Sequence, residues 1–379
     1  MRFLLALFSF LVVSAAVAQQ SPLPLPPPPT LAAKSWVLYD FLAAQVIAAQ
    51  NPNERIEPAS LTKMMTAYLT YEALKQKRIT LDQTVPVSPR AWKAQGSRMF
   101  IEPNKPVTVE ELIHGMVIQS GNDACIALAE AIAGSEEVFA QMMNQQAQKL
   151  GMKNTNFVNS TGLPDPKHYT TAYDMAILAA ALIRSFPEHY KLNAQREFRY
   201  NNITQANRNR LLWTDPYVDG VKTGHHEAAG YCLVASAKRD SRRLISVVTG
   251  TASEAARATE SQKILNYGFQ FYDTVKVYAR DQTVATLRVW KGAENDVRIG
   301  FDQDFFLALP KGDAAKLRAS METRQPLLAP LAAGQEVGTL KLSLEEKPLG
   351  EYPLVALASV PVAGFFGRGI DTLRLWLPQ

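Results

Sequence analysis

The sequence predicts an α+β protein, in which an antiparallel sheet covered by helices is followed by a small all-β domain and a terminal amphipathic helix. Two observations lead to this fold class. Between residues 33 and 273, strand-like runs come first, several helical segments follow, and two further strands and one helix close the region. Between residues 274 and 361, short alternating segments broken by Gly and Pro replace the helical pattern, which returns over residues 362–379.

The N-terminus has the features of a secretory signal peptide over residues 1–18. Arg2 supplies a positive charge, an apolar run follows, and Ala16 and Ala18 supply the small residues of a cleavage site. We expect cleavage after Ala18, because the apolar run is shorter than the roughly 20 residues that span a bilayer. The alternative is an N-terminal membrane anchor. Residues 19–32 are rich in proline, which predicts an extended linker.

The composition argues against binding to nucleic acid or to metal ions. The formal net charge is +5 without a dense basic block, which suits an anionic membrane or a carboxylate substrate better than a nucleic acid. The five histidines form no ligand pattern, and no spacing typical of zinc ligands occurs. Cys125 and Cys232 each lie among apolar residues, which predicts two buried thiols rather than a disulfide.

The first half of the main domain predicts a strand pair followed by helices. Residues 35–40 and 45–49 are short apolar runs that suit two strands. Beyond Pro58, apolar residues recur at helical spacing, so Ser60 stands at or near the start of a buried helix. Further helices are predicted over residues 126–132, 136–150 and 171–183, with Thr171 and Asp174 as a capping box for the last one.

The second half predicts a hairpin and a closing helix. Residues 231–237 and 244–250 are apolar runs on either side of a polar turn, and residues 254–267 return to helical spacing. Strands at both ends of a helical segment can share one antiparallel sheet with the helices packed on it.

Ser60 and Lys63 are the first pair of residues that could carry chemistry. On a helix, side chains three positions apart lie on the same face, so the lysine amine is held near the serine hydroxyl. A serine becomes a useful nucleophile when a neighbouring base takes its proton. A lysine can be that base when burial or a second cation destabilises its ammonium, and Lys222 could supply the second charge. We therefore expect the two lysines to share one base role.

Two further short motifs complete a candidate site. Ser120 could relay a proton between the lysines and a leaving amine, and Asn122 could hold Lys63 and a substrate amide by hydrogen bonds. Lys222 and Thr223 could bind a substrate carboxylate, and Gly224 would let an extended substrate approach the backbone. One helix, one loop and one strand edge would together form the site.

The three motifs, Ser60-Leu-Thr-Lys63, Ser120-Gly-Asn122 and Lys222-Thr-Gly224, resemble those of penicillin-binding proteins and class A β-lactamases. The resemblance is strongest to the low-molecular-mass penicillin-binding proteins, the D-alanyl-D-alanine carboxypeptidases, and covers nearly the whole chain after the signal. It extends to the flanking segments 57–67, 120–125, 219–225 and 260–265. In the loop Ser160–Leu163 some members of that family carry a histidine, so this chain differs there.

The resemblance implies a transpeptidase-like catalytic domain and removal of the terminal D-alanine from peptidoglycan pentapeptide through a Ser60 acyl-enzyme. It also implies binding of β-lactam antibiotics and a role in peptidoglycan maturation and cell shape, without a cofactor. The backbone NH groups of Ser60 and His225 would form the oxyanion hole. Arg257 matches the position of an arginine that binds the substrate carboxylate, a task suited to a bidentate guanidinium. A surface helix arginine is the alternative for Arg257.

The terminal segment predicts attachment to a membrane surface. Apolar residues including Phe365, Phe366 and Trp376 fall broadly on one helical face, with Arg368, Asp371 and Arg374 on the other. The alternative is a helix that packs back on its own β domain. We expect an exported protein, peripheral on the periplasmic face of the cytoplasmic membrane and able to form a homodimer.

Two other functions compete with the carboxypeptidase. A β-lactamase uses the same nucleophile, but class A enzymes need a glutamate that activates water. Glu188 is the only tempting candidate, and its spacing to Asn193 is one residue too long, so we predict a surface glutamate and slow release of bound penicillin. The second alternative, a catalytically inert cell-wall protein, is disfavoured because both lysines and both serines are present.

Overall fold

The computed structural model describes residues 25–365, 368–369 and 371–372. The predicted signal peptide and much of the predicted terminal helix lie outside the described residues. No described helix is both long and apolar enough to cross a bilayer.

The main domain is built on one antiparallel sheet, as the sequence predicts. Its five strands follow the order β2-β1-β9-β8-β7. β1 pairs with β9 of the hairpin that lies some 200 residues later, and β2 pairs with β1 at the edge of the sheet. The strands of this domain are β1 Ser35–Asp40, β2 Gln45–Gln50, β3 Thr84–Val85, β4 Val107–Thr108, β5 Glu197–Tyr200, β6 Ile203–Ala206, β7 Val218–His226, β8 Gly230–Arg239 and β9 Arg242–Thr251.

Helices cover both faces of the sheet. Alternate strand residues point to opposite faces, so Val37 and Val247 pack into the core formed with α1, α4 and α6, whereas Leu38 and Val248 pack against α9. The helices are α1 Lys63–Lys75, α2 Pro89–Trp92, α3 Val109–Val117, α4 Asn122–Ala133, α5 Glu136–Lys149, α6 Ala172–Ser185, α7 Pro187–Tyr190, α8 Leu211–Thr214 and α9 Glu254–Phe271.

The predicted capping box of α6 forms only in part. The Thr171 hydroxyl accepts a hydrogen bond from the Asp174 amide, as a cap requires. The Asp174 carboxylate instead accepts from the Asn154 amide and the Thr155 hydroxyl. Asp174 therefore ties the preceding loop to the helix rather than closing the reciprocal half of the box.

The second domain is all-β, as the alternating pattern predicts, and has its own core. Six of its strands form a sheet in the order β14-β16-β17-β12-β11-β15, and β10 pairs with β13. Buried residues such as Leu307, Leu340 and Leu354 fill the space between them. The strands are β10 Tyr272–Tyr278, β11 Thr283–Trp290, β12 Asp296–Gly300, β13 Phe305–Pro310, β14 Leu317–Thr323, β15 Leu327–Leu328, β16 Glu336–Leu344 and β17 Lys347–Ala356.

The described part of the proline-rich linker contacts the main domain. The Tyr267 hydroxyl donates to the Pro26 carbonyl over 2.9 Å, and Leu31 is buried against the face of the sheet that α9 covers. Cys125 and Cys232 are both free and buried, as predicted.

Candidate active site

Ser60 lies in a 3₁₀ helix, Ala59–Thr62, that leads directly into α1. The sequence prediction of a serine at or near the start of a buried helix is therefore confirmed, with a tighter first turn. Gly224 on β7 packs against this turn, since a Cβ on Gly224 would lie 3.1 Å from the Pro58 carbonyl oxygen and 3.3 Å from the Leu61 amide nitrogen. The expectation that Gly224 makes room for substrate is thus revised, because its open side faces the nucleophile turn.

Lys63 is held by three oxygen atoms. Its Nζ lies 2.9 Å from Ser60 Oγ, 2.7 Å from Asn122 Oδ1 and 2.6 Å from the Thr161 carbonyl oxygen. Asn122 Oδ1 and the Thr161 carbonyl can only accept hydrogen bonds, whereas a hydroxyl can also donate. A neutral amine has two N–H groups and one lone pair. It matches these three oxygen atoms when the Ser60 hydroxyl donates a hydrogen bond to the lone pair of Nζ and the two N–H groups donate to the two carbonyl oxygens.

Burial is the main reason that Lys63 can lose its proton. The side chain is 1% exposed, and burial, with a smaller contribution from the Arg208 charge, lowers the pKa of Lys63 to about 8. A substantial fraction of the amine is therefore neutral near pH 8, as a general base requires.

Lys222 contacts the second serine rather than the first. Its Nζ lies 3.0 Å from Ser120 Oγ and 3.1 Å from the Thr223 carbonyl oxygen. Burial, together with the nearby Lys63 charge, holds the pKa of Lys222 well below its usual range. Each lysine therefore binds its own serine, so the base role that we expect the pair to share involves two hydroxyl groups, those of Ser60 and Ser120.

The loop of Ser120 and the start of α4 are held from two sides. Ser120 has φ of 72°, a left-handed conformation that is unusual for a residue other than glycine. Asn122 Nδ2 donates to the Gln95 carbonyl over 2.6 Å. The buried Asp123 carboxylate accepts from the backbone amides of Met99, Phe100 and Ile101. These bonds fix Asn122 against Lys63.

Thr223 and His225 continue along β7, on either side of Gly224. Thr223 is 5% exposed. The exposed His225 ring stacks on Tyr231 of β8, with 3.9 Å between ring centroids. His225 therefore follows the lysine motif at the edge strand of the sheet, beside the turn that carries Ser60.

Arg257 is buried behind the lysine motif, which contradicts the alternative of a surface arginine. Its side chain projects from α9, donates to the Gly224 carbonyl over 3.3 Å and to the Arg208 carbonyl over 3.4 Å, and lies 3.5 Å from Glu254. Burial lowers the pKa of Arg257. The Glu254 carboxylate is 42% exposed and compensates this buried charge only in part, so an anionic ligand would stabilise it.

Sequence reasoning missed two contributors because no motif marks them. Arg208 adds positive charge near Lys63, Lys222 and Arg257. The Thr161 carbonyl binds Lys63, and a backbone oxygen leaves no trace in the residue type. In the structure Asn159 Oδ1 accepts from the Thr161 and Gly162 amides and closes a tight Asx-type turn, so Asn159 is a sequence signal for the turn that positions this carbonyl.

His168 is a third contributor that the sequence analysis left out. Its Nε2 lies 2.8 Å from the hydroxyl of Thr62, the residue that precedes Lys63, and its Nδ1 accepts a hydrogen bond from the Val158 amide. Burial lowers the pKa of His168 to about 4, so the ring stays neutral and Nε2 donates to Thr62. His168 thereby secures the nucleophile turn.

Glu188 is a surface residue, as predicted. It is 79% exposed and pairs with Lys191 at 2.6 Å. No described segment gathers three or more side chains able to hold a metal ion.

Comparisons with known proteins agree with this geometry. The sequence pattern of the D-alanyl-D-alanine carboxypeptidases, Peptidase S11, matches residues 22–253, and that of the penicillin-binding protein 5 C-terminal domain matches residues 272–362. The chain is 44% identical to D-alanyl-D-alanine carboxypeptidase DacC of Escherichia coli over 93% of its own length and 90% of that protein.

Solved structures give the same result. Penicillin-binding protein 5 from Haemophilus influenzae is 41% identical and superposes with a TM-score of 0.84 over 88% of this chain and 99% of that one. Penicillin-binding protein D2 from Listeria monocytogenes, solved in its ampicillin-bound form, is 28% identical with a TM-score of 0.60, over 64% of this chain and all of that one. The chain therefore belongs to the Peptidase S11 family and is a serine D-Ala-D-Ala carboxypeptidase of the penicillin-binding protein type.

Proposed function

We propose that the chain removes the terminal D-alanine of peptidoglycan pentapeptides through an acyl-enzyme on Ser60, with a role in peptidoglycan maturation and cell shape. The contact set of Lys63 Nζ carries this proposal, because it combines a hydroxyl that can donate with two carbonyl groups that can only accept. This arrangement suits a neutral amine beside a nucleophile. The domains that follow from this reading are a catalytic domain over residues 33–273 and a β-rich domain over residues 274–361.

In the acylation step, Ser60 Oγ attacks the carbonyl carbon of the scissile bond while its proton passes to Lys63 Nζ. The backbone NH groups of Ser60 and His225 bind the oxyanion. The bond to the leaving D-alanine breaks, and its nitrogen takes a proton from Ser120 Oγ. The Lys222 ammonium, 3.0 Å from Ser120 Oγ, replaces that proton. The lysine pair carries one positive charge before and after this step.

Hydrolysis of the ester reverses these transfers. Water attacks the acyl carbon and gives a proton to Lys222 through Ser120, and Lys63 returns a proton to Ser60 Oγ as the shortened peptide leaves. The substrate assists the acylation step, because the carboxylate of its terminal D-alanine at Lys222, Thr223 and Arg257 raises the pKa of Lys222 until that residue leaves. The single proton of the pair then resides on Lys222, and Lys63 is free to act as base.

A labelled penicillin and a pentapeptide ending in D-Ala-D-Ala test this proposal on the unmodified protein. We expect steady release of D-alanine and a long-lived penicillin adduct on Ser60, since Glu188, the glutamate that the sequence offered for activating water, lies on the surface and pairs with Lys191. Rapid turnover of penicillin would indicate a β-lactamase. The absence of both the penicillin adduct and released D-alanine would indicate an inert protein. The ampicillin-bound Listeria relative supports binding of this antibiotic class.

Replacement of Arg257 by Gln is expected to lower kcat/KM selectively for substrates that have a free terminal carboxylate. A charge-assisted hydrogen bond contributes about 1.5–3 kcal/mol, so kcat/KM should fall by about 10- to 100-fold. The same peptide with an amidated C-terminus should be affected little. Arg210→Gln is a matched control, because Arg210 pairs with the same Glu254 from the surface at 3.4 Å. Equal losses on the two peptides would assign Arg257 to the fold alone.

We also propose export, with the terminal segment 362–379 lying on the periplasmic face of the cytoplasmic membrane. The sequence places its apolar residues on one face, and Asp371 of the polar face accepts from the Lys291 backbone amide of the β domain over 2.7 Å. This contact fixes Asp371 to the β domain, and the assignment of the apolar residues to the membrane rests on the sequence pattern. Loss of sedimentation with anionic lipid vesicles after removal of residues 362–379 would test it.

A further inference from the structure

A cleft of about 810 Å³ lies where the catalytic domain meets the β domain. One wall is the turn between β1 and β2, including Phe41 and Leu42, with Arg184 beside it. The opposite wall is the loop that enters β13, from Phe301 to Phe306, and the middle of β17 around Tyr352. The proposed active site contributes none of these lining residues, so this cleft has no role in the mechanism above.

The walls of the cleft are fixed to each other across the domain junction. Gln45 Nε2 donates to the Tyr352 hydroxyl over 3.1 Å, and Gln45 Oε1 accepts from the Ala308 amide over 2.8 Å. Phe305 stacks on Phe301 with 4.5 Å between centroids and lies 4.6 Å from the Tyr352 ring. The aromatic cleft is therefore preformed, so a ligand would bind without the free-energy cost of ordering its side chains.

Polar groups at the rim remain available for a ligand. Asp302 and Gln303 are exposed, and among the described residues neither side chain has a hydrogen-bond or ion-pair partner. Arg184 lies over the Phe41 ring at 5.0 Å and uses one donor for the Phe41 carbonyl, which leaves its other N–H groups free. Asp304 is neutralised by Lys276 at 2.6 Å. The remaining two charges, the positive charge of Arg184 and the negative charge of Asp302, cancel, so the net charge of the cleft is close to zero.

We infer that this cleft binds the glycan strand of the cell wall, a chain of N-acetylated hexosamines. Sugar rings present apolar C–H faces to aromatic walls, and their hydroxyl and acetamido groups bind planar polar side chains such as those of Asp, Gln and Arg. The near-neutral cleft suits an uncharged polymer better than a charged peptide. The inference rests on the proposed function, since the pentapeptide substrate is attached to such strands.

The position of the cleft defines which part of the strand it holds. The turn between β1 and β2 leads into the edge strand β2, whereas Lys222 is on the opposite edge strand β7; four spacings of about 4.8 Å place these two strands about 19 Å apart across the sheet. The sugars in the cleft therefore lie at some distance along the strand from the disaccharide whose peptide is being cut. The cleft would favour long glycan strands and leave the handling of free peptides unchanged.

The test compares a free pentapeptide with the same pentapeptide on uncrosslinked glycan strands. The variant is Asp302→Ala with Gln303→Ala, two exposed and unpartnered side chains whose loss spares the fold. We expect KM for the glycan-linked substrate to rise about tenfold, because two hydrogen-bonding groups are lost. The value of kcat for this substrate, and both kcat and KM for the free peptide, should stay unchanged. Asp296→Ala, an exposed acid elsewhere in the β domain, is the matched control.

Direct binding gives a second measurement. Ser60→Ala protein should bind an oligomer of N-acetylglucosamine, an uncharged chain of N-acetylated hexosamines, and Phe306→Ala should weaken that binding. Unchanged KM on the glycan-linked substrate in the double variant, or no binding of the oligomer, would overturn the inference. Failure of the unmodified protein to release D-alanine from free pentapeptide would instead overturn the proposed function, so the two failures are distinguishable.

Discussion

Ser60→Ala is expected to lower the release of D-alanine by a factor of about 10⁴ or more, because loss of the nucleophile removes the covalent route altogether. The fold should survive, since Ser60 is only partly buried and its hydroxyl contacts Lys63 alone among described groups. The measurement is D-alanine released from pentapeptide, alongside thermal unfolding and labelling with penicillin.

Ser320→Ala serves as the control for Ser60→Ala. Ser320 is an exposed serine on β14 of the β domain, so its loss should alter neither D-alanine release nor penicillin labelling. D-alanine release at the normal rate from Ser60→Ala protein would contradict the acyl-enzyme. A penicillin adduct on another residue of that variant would do the same.

The sheet and its helices could be read from the sequence because periodicity is a local property. The runs that became β8 and β9 lie on either side of a polar turn, the run that became β1 is a short apolar segment, and the motif spacing of Ser60 and Lys63 requires only a helical turn. The family motifs then identified the distant residues that meet at the site. Local patterns and motif order together supplied the main chemical elements.

The contacts that tune the site could not be read in this way. Lys63 depends on the Thr161 carbonyl, and the position of that oxygen is set by the fold of a loop some 100 residues away. Gly224 is required by its packing on the Ser60 turn, a contact between two segments with no common pattern. The division of labour in which Lys222 binds Ser120 likewise follows from tertiary geometry.

Lys63→Met is expected to lower kcat/KM by a factor of about 10³–10⁴, as when the base of a nucleophile pair is lost. Met retains much of the length of the side chain but neither donates nor accepts strongly. It also leaves Asn122 Oδ1 and the Thr161 carbonyl without their buried donor, at a cost of about 1–3 kcal/mol each in the free energy of unfolding. Activity and thermal unfolding are measured on the same preparation.

Lys63→Arg separates the two roles of the lysine. Arginine keeps a positive charge and several donors but does not lose its proton in proteins, so it can satisfy the carbonyl groups without acting as base. We expect Lys63→Arg to be as inactive as Lys63→Met while losing less stability. An active arginine variant would show that a fixed positive charge beside Ser60 is sufficient and that proton acceptance is not required.

The pH dependence of the unmodified protein tests the same role without a mutation. The base works in its neutral form, so kcat/KM for pentapeptide should rise as the pH increases through about 8, the pKa to which burial lowers Lys63. Because Lys63 and Lys222 interact, the measured midpoint belongs to the pair. Arg257→Gln removes a nearby positive charge, which should move the midpoint upward. A rate independent of pH between 6 and 9 would mean that Ser60 loses its proton to some group other than this lysine pair.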